Sequence, residues 1–430
     1  MQQGHISGAI ASLLPEQRIR RLARELGAVK RERKVDIVQL VYSVVLGFAM
    51  GHGRTVTGLR RAFEFATGKT VARSSFHERF SAALVALFER LTNDAMETMA
   101  TKRPKLRDAF SAFLEVLAID STFIRLHPTL KEAYPSVWSN NTPAAAKLTM
   151  VANVVGRGPR SFRFVRGSLH DANLLDTANR LRGRLLLFDL GFSRAELFKS
   201  IDARGGYFLT RFQLRNIRTP VTFCNLTRRH PAEQTTLEDL EAQCKSDFID
   251  VQAKVGYYCK QGKRKGRQLA IFRIVCVYNR AEQRWHRYVT NVSVEMLAAR
   301  AVTAVYAARW EIELLFRELK SSYRICDMPS SKLYVSQVLL HASLLTLMVS
   351  QKIRQLVQTS RPCARKLPGD RWARLFRAVA LELLRLVLRH PSDHSDERKL
   401  LAFLRNEAPD PNRSRKLLPE RAQDGEMAFA

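Results

Sequence analysis

Three carboxylates occupy positions where a soluble chain rarely leaves an acid. Asp120 interrupts the apolar run "LAIDSTF", Asp189 ends "LLLFDLG", and Glu313 lies within "YAARWEIELLFRELK". A charge inside a strand is costly unless it is paired or bound to a metal. Local partners exist for each: Arg125 for Asp120, the turn at Gly191 for Asp189, and Arg309 and Arg317 at i,i±4 for Glu313. If the two strands are neighbours and the helix returns to their sheet, three hard oxygen ligands converge. That set suits Mg2+, which takes carboxylates together with waters and phosphate oxygens. Two such ions stabilise the attacking and leaving oxygens of an in-line displacement at phosphorus, with no nucleophilic side chain needed.

The residues around Glu313 have a matching pattern. At about 100° per residue, a helix from Tyr306 to Lys320 places Tyr306, Glu313, Arg317 and Lys320 on one stripe, with Arg309 at its edge. Ile312, Leu315 and Leu319 face the other way, ready to dock on a core. A solvated face held by i,i+4 ion pairs has the same spacing. A row of cations beside a metal-binding acid would also hold a phosphodiester backbone.

The balance of charge favours the second reading. The chain has 71 Lys+Arg against 40 Asp+Glu, a formal net charge of +31 over 430 residues, which points to a polyanionic partner. Basic residues are spread through nearly every segment, as for a broad wrapped surface. The six cysteines, at 224, 244, 259, 276, 326 and 363, form no C-x-x-C pair and no zinc spacing; they read as reduced and buried. The N-terminus lacks an export signal. The apolar runs from Ile37 and Leu333 approach membrane-span length, but the first is short and the second contains Gln337, His341 and serines. Both read as core helices of a soluble, cytoplasmic protein with no membrane partner.

The elements that must position these residues divide the chain. Residues 1–107 read as a helical DNA-binding region. The break at Thr67-Gly68, followed by Ser75 and Glu78 in capping-box spacing among Arg60, Arg61, Lys69, Arg73 and Arg79, suggests a helix-turn-helix; plain helical packing reads equally well. Over 108–213, "FLEVLAIDSTFIRL", "AKLTMVANVVG" and "SFRFVRGSLHD" read as three strands, followed by helix, strand, helix and strand. His170 and Asp171 mark the first strand-to-helix junction, where Asp171 or Asn173 would cap the helix "ANLLDTANRLRG". Residues 214–293 read as a β-rich insertion with a basic turn bearing Lys263, Arg264 and Lys265, candidate DNA contacts. Residues 294–325 carry the Glu313 helix. A helical region, 326–406, and a mobile polar tail, 407–430, complete the chain.

Tyr306, Arg309, Glu313 and Lys320 together spell Y-x2-R-x3-E-x6-K. This resembles the signature of bacterial DDE transposases of the insertion-sequence-four family. "AIDST", "FDLGF" and the Glu313 segment look like that family's three acidic motifs in order, and the resemblance spans about Ala118 to Ser322. It implies an α/β fold: an RNase H-like core, a mixed five-stranded sheet with helices, interrupted by the β-rich insertion. Asp120 and Asp189 would lie on adjacent strands and, with Glu313, bind two Mg2+ ions, or Mn2+ in their place. Water would cut one strand at the element's terminal inverted repeat, and the freed 3'-hydroxyl would attack the other strand or target DNA. Tyr306, Arg309 and Lys320 would contact phosphates of double-stranded DNA near the cut, beside Arg317 of the cationic stripe. Trp285, in the insertion, would receive a flipped base, or else pack within its subdomain. A homodimer would pair two element ends. The alternatives are an inactive or domesticated DNA-binding relative and an RNase H-like nuclease without strand transfer.

Overall fold

The computed structural model describes residues 5–29, 35–51, 54–100, 108–137, 142–155, 158–169, 181–192, 195–213, 219–261, 264–359, 367–389 and 395–409. His170, Asp171, Asn173, most of the helix expected after them, Lys263 and the tail from 410 onward lie outside these residues. The side chains of 256–268, including Arg264 and Lys265, are also outside the description.

Among the described residues nine strands form one mixed sheet: β1 (Glu115–Arg125), β2 (Ala145–Asn153), β3 (Gly158–Arg166), β4 (Arg184–Phe188), β5 (Tyr207–Arg211), β6 (Val221–Cys224), β7 (Phe248–Gln261), β8 (Arg264–Asn279) and β9 (Arg284–Thr290). Their spatial order is β3-β2-β1-β4-β5-β9-β8-β7-β6. The first three make an antiparallel meander, while β4 joins β1 in parallel and β5 joins β4 in parallel.

The sheet thus differs from the expected five strands plus a separate insertion. β9 pairs antiparallel with β5 through Leu209↔Thr290, Thr210↔Val289 and Arg211↔Tyr288, so the insertion extends the same sheet. The basic turn is also narrower than expected: β7 and β8 stay in register out to Gln261↔Arg264.

The helices are α1 (Ile6–Leu13), α2 (Glu16–Glu25), α3 (Ile37–Met50), α4 (Val56–Thr67), α5 (Arg73–His77), α6 (Ala82–Ala100), α7 (Ala195–Ala203), α8 (Leu237–Gln243), α9 (Ala299–Ala307), α10 (Trp310–Arg317), α11 (Leu333–Thr359), α12 (Gly369–Ala378), α13 (Ala380–Arg389) and α14 (Ser395–Glu407). Alternation along the strands sorts the core onto two faces. Leu117, Ile119, Leu186, Phe188 and Phe208 pack beneath α7 and α8, where Phe198 and Phe208 stack with centroids 4.3 Å apart. Val116, Ala118, Leu185, Leu187 and Leu209 face the larger helical layer.

That layer draws on both ends of the chain. Asp36 caps α3 by accepting hydrogen bonds from the amides of Val38 and Gln39, and Gly51 ends it at φ +74°, a conformation that suits glycine. The α3 run is buried against α11, where Thr346 donates to the Val45 carbonyl at 2.7 Å. The buried Glu397 of α14 accepts from the amide and hydroxyl of Ser7 in α1, at 2.7 and 2.9 Å. Helix α11 is long and apolar enough to cross a bilayer, but 83% of its most apolar window is buried within the protein.

In the N-terminal region α4 ends at Gly68 as expected. The following helix, however, is only five residues long and starts after Ala72, so Ser75 lies inside it and caps nothing. The four described cysteines, Cys224, Cys244, Cys276 and Cys326, are free; only Cys276 is buried and the others are half-buried.

Candidate active site

The parallel register of β1 and β4 runs through Ala118↔Leu187 and Ile119↔Phe188. Asp120 and Asp189 come next on each strand, so they stand side by side at the carboxyl end of the pair. Asp120 is still within β1, with Met150 of β2 opposite it. Asp189 lies just past β4, exposed, where the chain turns into a short 3-10 segment, Leu190–Phe192. On the other side, Phe188↔Thr210 sets Arg211, the last residue of β5, beside Asp189.

The segment carrying Glu313 is broken where a straight helix was expected. α9 ends at Ala307, and the amides of Ala308, Arg309 and Glu311 bond three residues back instead of four, starting α10 anew at Trp310. After Arg317 the chain widens into one π-turn, Glu318–Ser322, closed by the Tyr323 amide on the Glu318 carbonyl at 3.0 Å; such turns recur at functional sites. Tyr306 therefore leaves the expected surface stripe. It is buried at 6% exposure, edge-on to Tyr288 with centroids 5.2 Å apart. The guanidinium groups of Arg309 and Arg211 lie 5.7 and 6.0 Å from its ring centre.

Arg309 joins the acids. Its Nη2 donates to Glu313 Oε1 at 2.6 Å, and its Nη1 lies 3.8 Å from Asp120 Oδ2. Asp120 Oδ1 accepts from the Ser121 amide at 2.7 Å. Burial first, then the charges of Glu313 and Asp189, push the Asp120 carboxyl up to about 6, against the pull of the Ser121 amide and Arg309. Burial, together with Asp189, likewise raises the Tyr306 phenol to about 12. Two buried polar atoms here lack a hydrogen-bond partner, the Tyr306 hydroxyl and Arg309 Nε.

The structure thus brings together Asp120, Glu313, Arg309 and Tyr306, with Asp189 in electrostatic reach. Arg317 is exposed and Lys320 half-buried, each downstream of Glu313. Trp285 is not brought to the acids. It packs edge-on against Tyr278, centroids 5.2 Å apart, with the core on the opposite sheet face. Two residues escaped the sequence reading. Arg211 looked like an ordinary strand end, though its place beside Asp189 follows once β5 is set next to β4. Trp310 is 52% exposed immediately after Arg309; at about 100° per residue it lies about 40° from Tyr306, on the outward stripe, where an aromatic among charges drew no reading.

For a divalent cation the donor chemistry fits: three hard carboxylates, one strained by the proximity of the other two, and an arginine supplying the missing positive charge. Among the described residues no group of three His, Cys, Asp or Glu side chains is already placed to hold a metal. Asp189 stands free, and Glu313 is bound to Arg309.

Comparison with known proteins gives this arrangement its relatives. The family model described as "Transposase DDE domain" matches residues 111–349, a span containing all three acids. The transposase of insertion sequence element IS231D from Bacillus thuringiensis subsp. finitimus is 23% identical over 337 residues, covering 71% of this chain and 70% of that protein. The transposase of IS1151 from Clostridium perfringens is 19% identical, covering 81% and 80%. Among solved structures, a piggyBac transposase synaptic complex with hairpin DNA aligns over 95% of this chain and 86% of that one, at 8% identity and a TM-score of 0.47. Matched by the family model over more than half its length, the chain belongs to the DDE-domain transposases.

Proposed function

We propose that this transposase cuts and joins DNA at the site where Asp120, Asp189 and Glu313 meet, and that β1 to β5 are an RNase H-like core. The strand order, an antiparallel meander with β4 and β5 added in parallel beside β1, supports the second part. The observation carrying the first is the Arg309 guanidinium shared between Asp120 and Glu313: a half-buried cation already neutralises acids that repel one another.

Asp120, Asp189 and Glu313 would hold two Mg2+ ions, or Mn2+ in their place, which would activate water or a 3'-hydroxyl and stabilise charge on the phosphate. A cation held by Glu313 would weaken its pairing with Arg309, and the guanidinium, with an unpartnered Nε, would then be available to a phosphate oxygen. Arg211, exposed beside Asp189, would fix the strand by the scissile phosphate, and the buried Tyr306 would steady Arg211 and Arg309 through its ring. Trp310 offers an exposed ring on which a base at the cut end can stack. Arg317 and Lys320 continue the cationic path along the backbone. Two copies acting in the cytoplasm would pair two element ends.

The test is incubation with Mg2+ and a duplex bearing a terminal inverted repeat, with cleavage and strand-transfer products resolved on a gel. Asp189→Asn is expected to abolish both while retaining DNA binding, because Asp189 is exposed and contributes little to the fold. Cleavage by that variant at the parent rate would refute the assignment.

A further inference from the structure

A second arginine–carboxylate cluster lies beyond the acids, on the strands that extend the sheet. Arg273 of β8 and Asp250 of β7 are 2% and 0% exposed. Arg273 Nε donates to Asp250 Oδ1 at 2.9 Å and Nη2 to Oδ2 at 2.6 Å, a bidentate pair. The two N–H groups of the remaining nitrogen, Nη1, are shared among three carbonyls, those of Val292, Ser293 and Leu297, at 3.0, 3.0 and 2.8 Å. Asp250 is itself held by the Asn225 amide side chain at 2.7 Å.

Those three carbonyls belong to the connector between β9 and α9, the segment that sets where α9 begins and hence where Tyr306, Arg309 and Glu313 lie. The connector is gripped from the other side as well. Asn291 donates to Asp202 Oδ1 and the Gly206 carbonyl and accepts from the Phe208 amide, and Thr290 donates to the Phe208 carbonyl. Val292 and Leu297 are also buried in the core, at 0% and 1% exposure, so Arg273 supplies the polar part of the hold on the β8 side.

We infer that Arg273, oriented by Asp250, is a positioning residue for the DNA reaction: it fixes the connector from which α9 and α10 carry Arg309 and Glu313 to Asp120. The inference rests on the proposed role of Glu313. Its physical basis is the steep dependence of rate on placement, where a shift of about 1 Å costs about 100-fold. A guanidinium whose three nitrogens all have partners suits this better than an apolar residue, which could fill the space but not hold the carbonyls.

The test separates holding from mere packing. The paired substitution Arg273→Met with Asp250→Leu removes both charges together and keeps the interior apolar, a change that buried ion pairs often tolerate. The expected result is a folded protein that binds element-end DNA like the parent. Its single-turnover cleavage at saturating DNA should be slower by about 100-fold, and hydrogen exchange should be faster in residues 292–307 alone. Should that protein fail to fold, Arg273→Lys, with one ammonium in place of the fork, is expected to show the same split between binding and rate.

Parent-like cleavage in either variant overturns the inference. Glu313→Gln is measured alongside. If it is inactive while the Arg273 variants cleave normally, the active-site reading stands and the positioning role fails. If Glu313→Gln itself cleaves normally, the active-site reading fails and the positioning role falls with it.

Discussion

Arg273 and Arg309 are both arginines set among carboxylates on the same side of one sheet, and their surroundings are opposite. Every guanidinium nitrogen of Arg273 has a partner, two of them on carboxylate oxygens and the third among three carbonyls. Arg309 holds Glu313 closely and Asp120 loosely, and leaves Nε without a partner. A cluster that satisfies itself holds structure. One that leaves acids repelling each other and donors idle is prepared for a partner from outside.

The contrast can be broken most forcefully at its rigid end. Arg273→Met alone strands Asp250 without a charge partner in the interior, so a loss of about 3–5 kcal/mol is expected, read by chemical denaturation. A change near zero would show that the pair is not the anchor the geometry describes.

At the other end the sign reverses. Asp120→Asn removes a charge the fold disfavours and is expected to raise stability at pH 8 by roughly 1–3 kcal/mol while abolishing cleavage. The Asp120 carboxyl lies at about 6 in the folded protein, above its unfolded value. The stability it contributes is therefore fully present below the unfolded value and is lost as pH rises through about 6. The advantage of the Asn variant should accordingly be largest above pH 6 and vanish in acid; a pH-independent difference would assign the effect to packing. Cleavage at limiting Mg2+ should fall as pH drops through about 6, since the protonated carboxyl cannot serve as a ligand.

The smallest effect concerns the cationic path. Lys320→Ala should lower the slope of log affinity against log salt by about one, the signature of a single phosphate contact. An unchanged slope would remove Lys320 from the DNA interface.

Much of the site was legible in the sequence because its acids violate the local pattern. Asp120 and Asp189 interrupt apolar strands, and Glu313 stands in a spaced set of cations, so each drew notice before any geometry. The break at Ala308–Arg309 was not legible: "YAARWEIELL" has uniform helical propensity, and the interruption accompanies the packing of Tyr306 on Tyr288, a tertiary contact. Nor was the union of the insertion with the sheet, which depends on β9 finding the edge of β5. Arg273 and Asp250 were hidden for a third reason. In "QLAIFRIVCVYN" and "DFIDVQAKVGYYC" each reads as an outward polar residue of an alternating strand, and only the layer carrying the connector and α9 turns that face into an interior.

The clasp between Ser7 and Glu397 has a bearing on synthesis. Helix α3 emerges from the ribosome long before α11 exists to cover it, and α1 before α14. The leading helices must wait with apolar flanks bare until almost the whole chain has been made, so a C-terminal truncation ahead of α11 should yield an aggregating fragment in place of a smaller working domain.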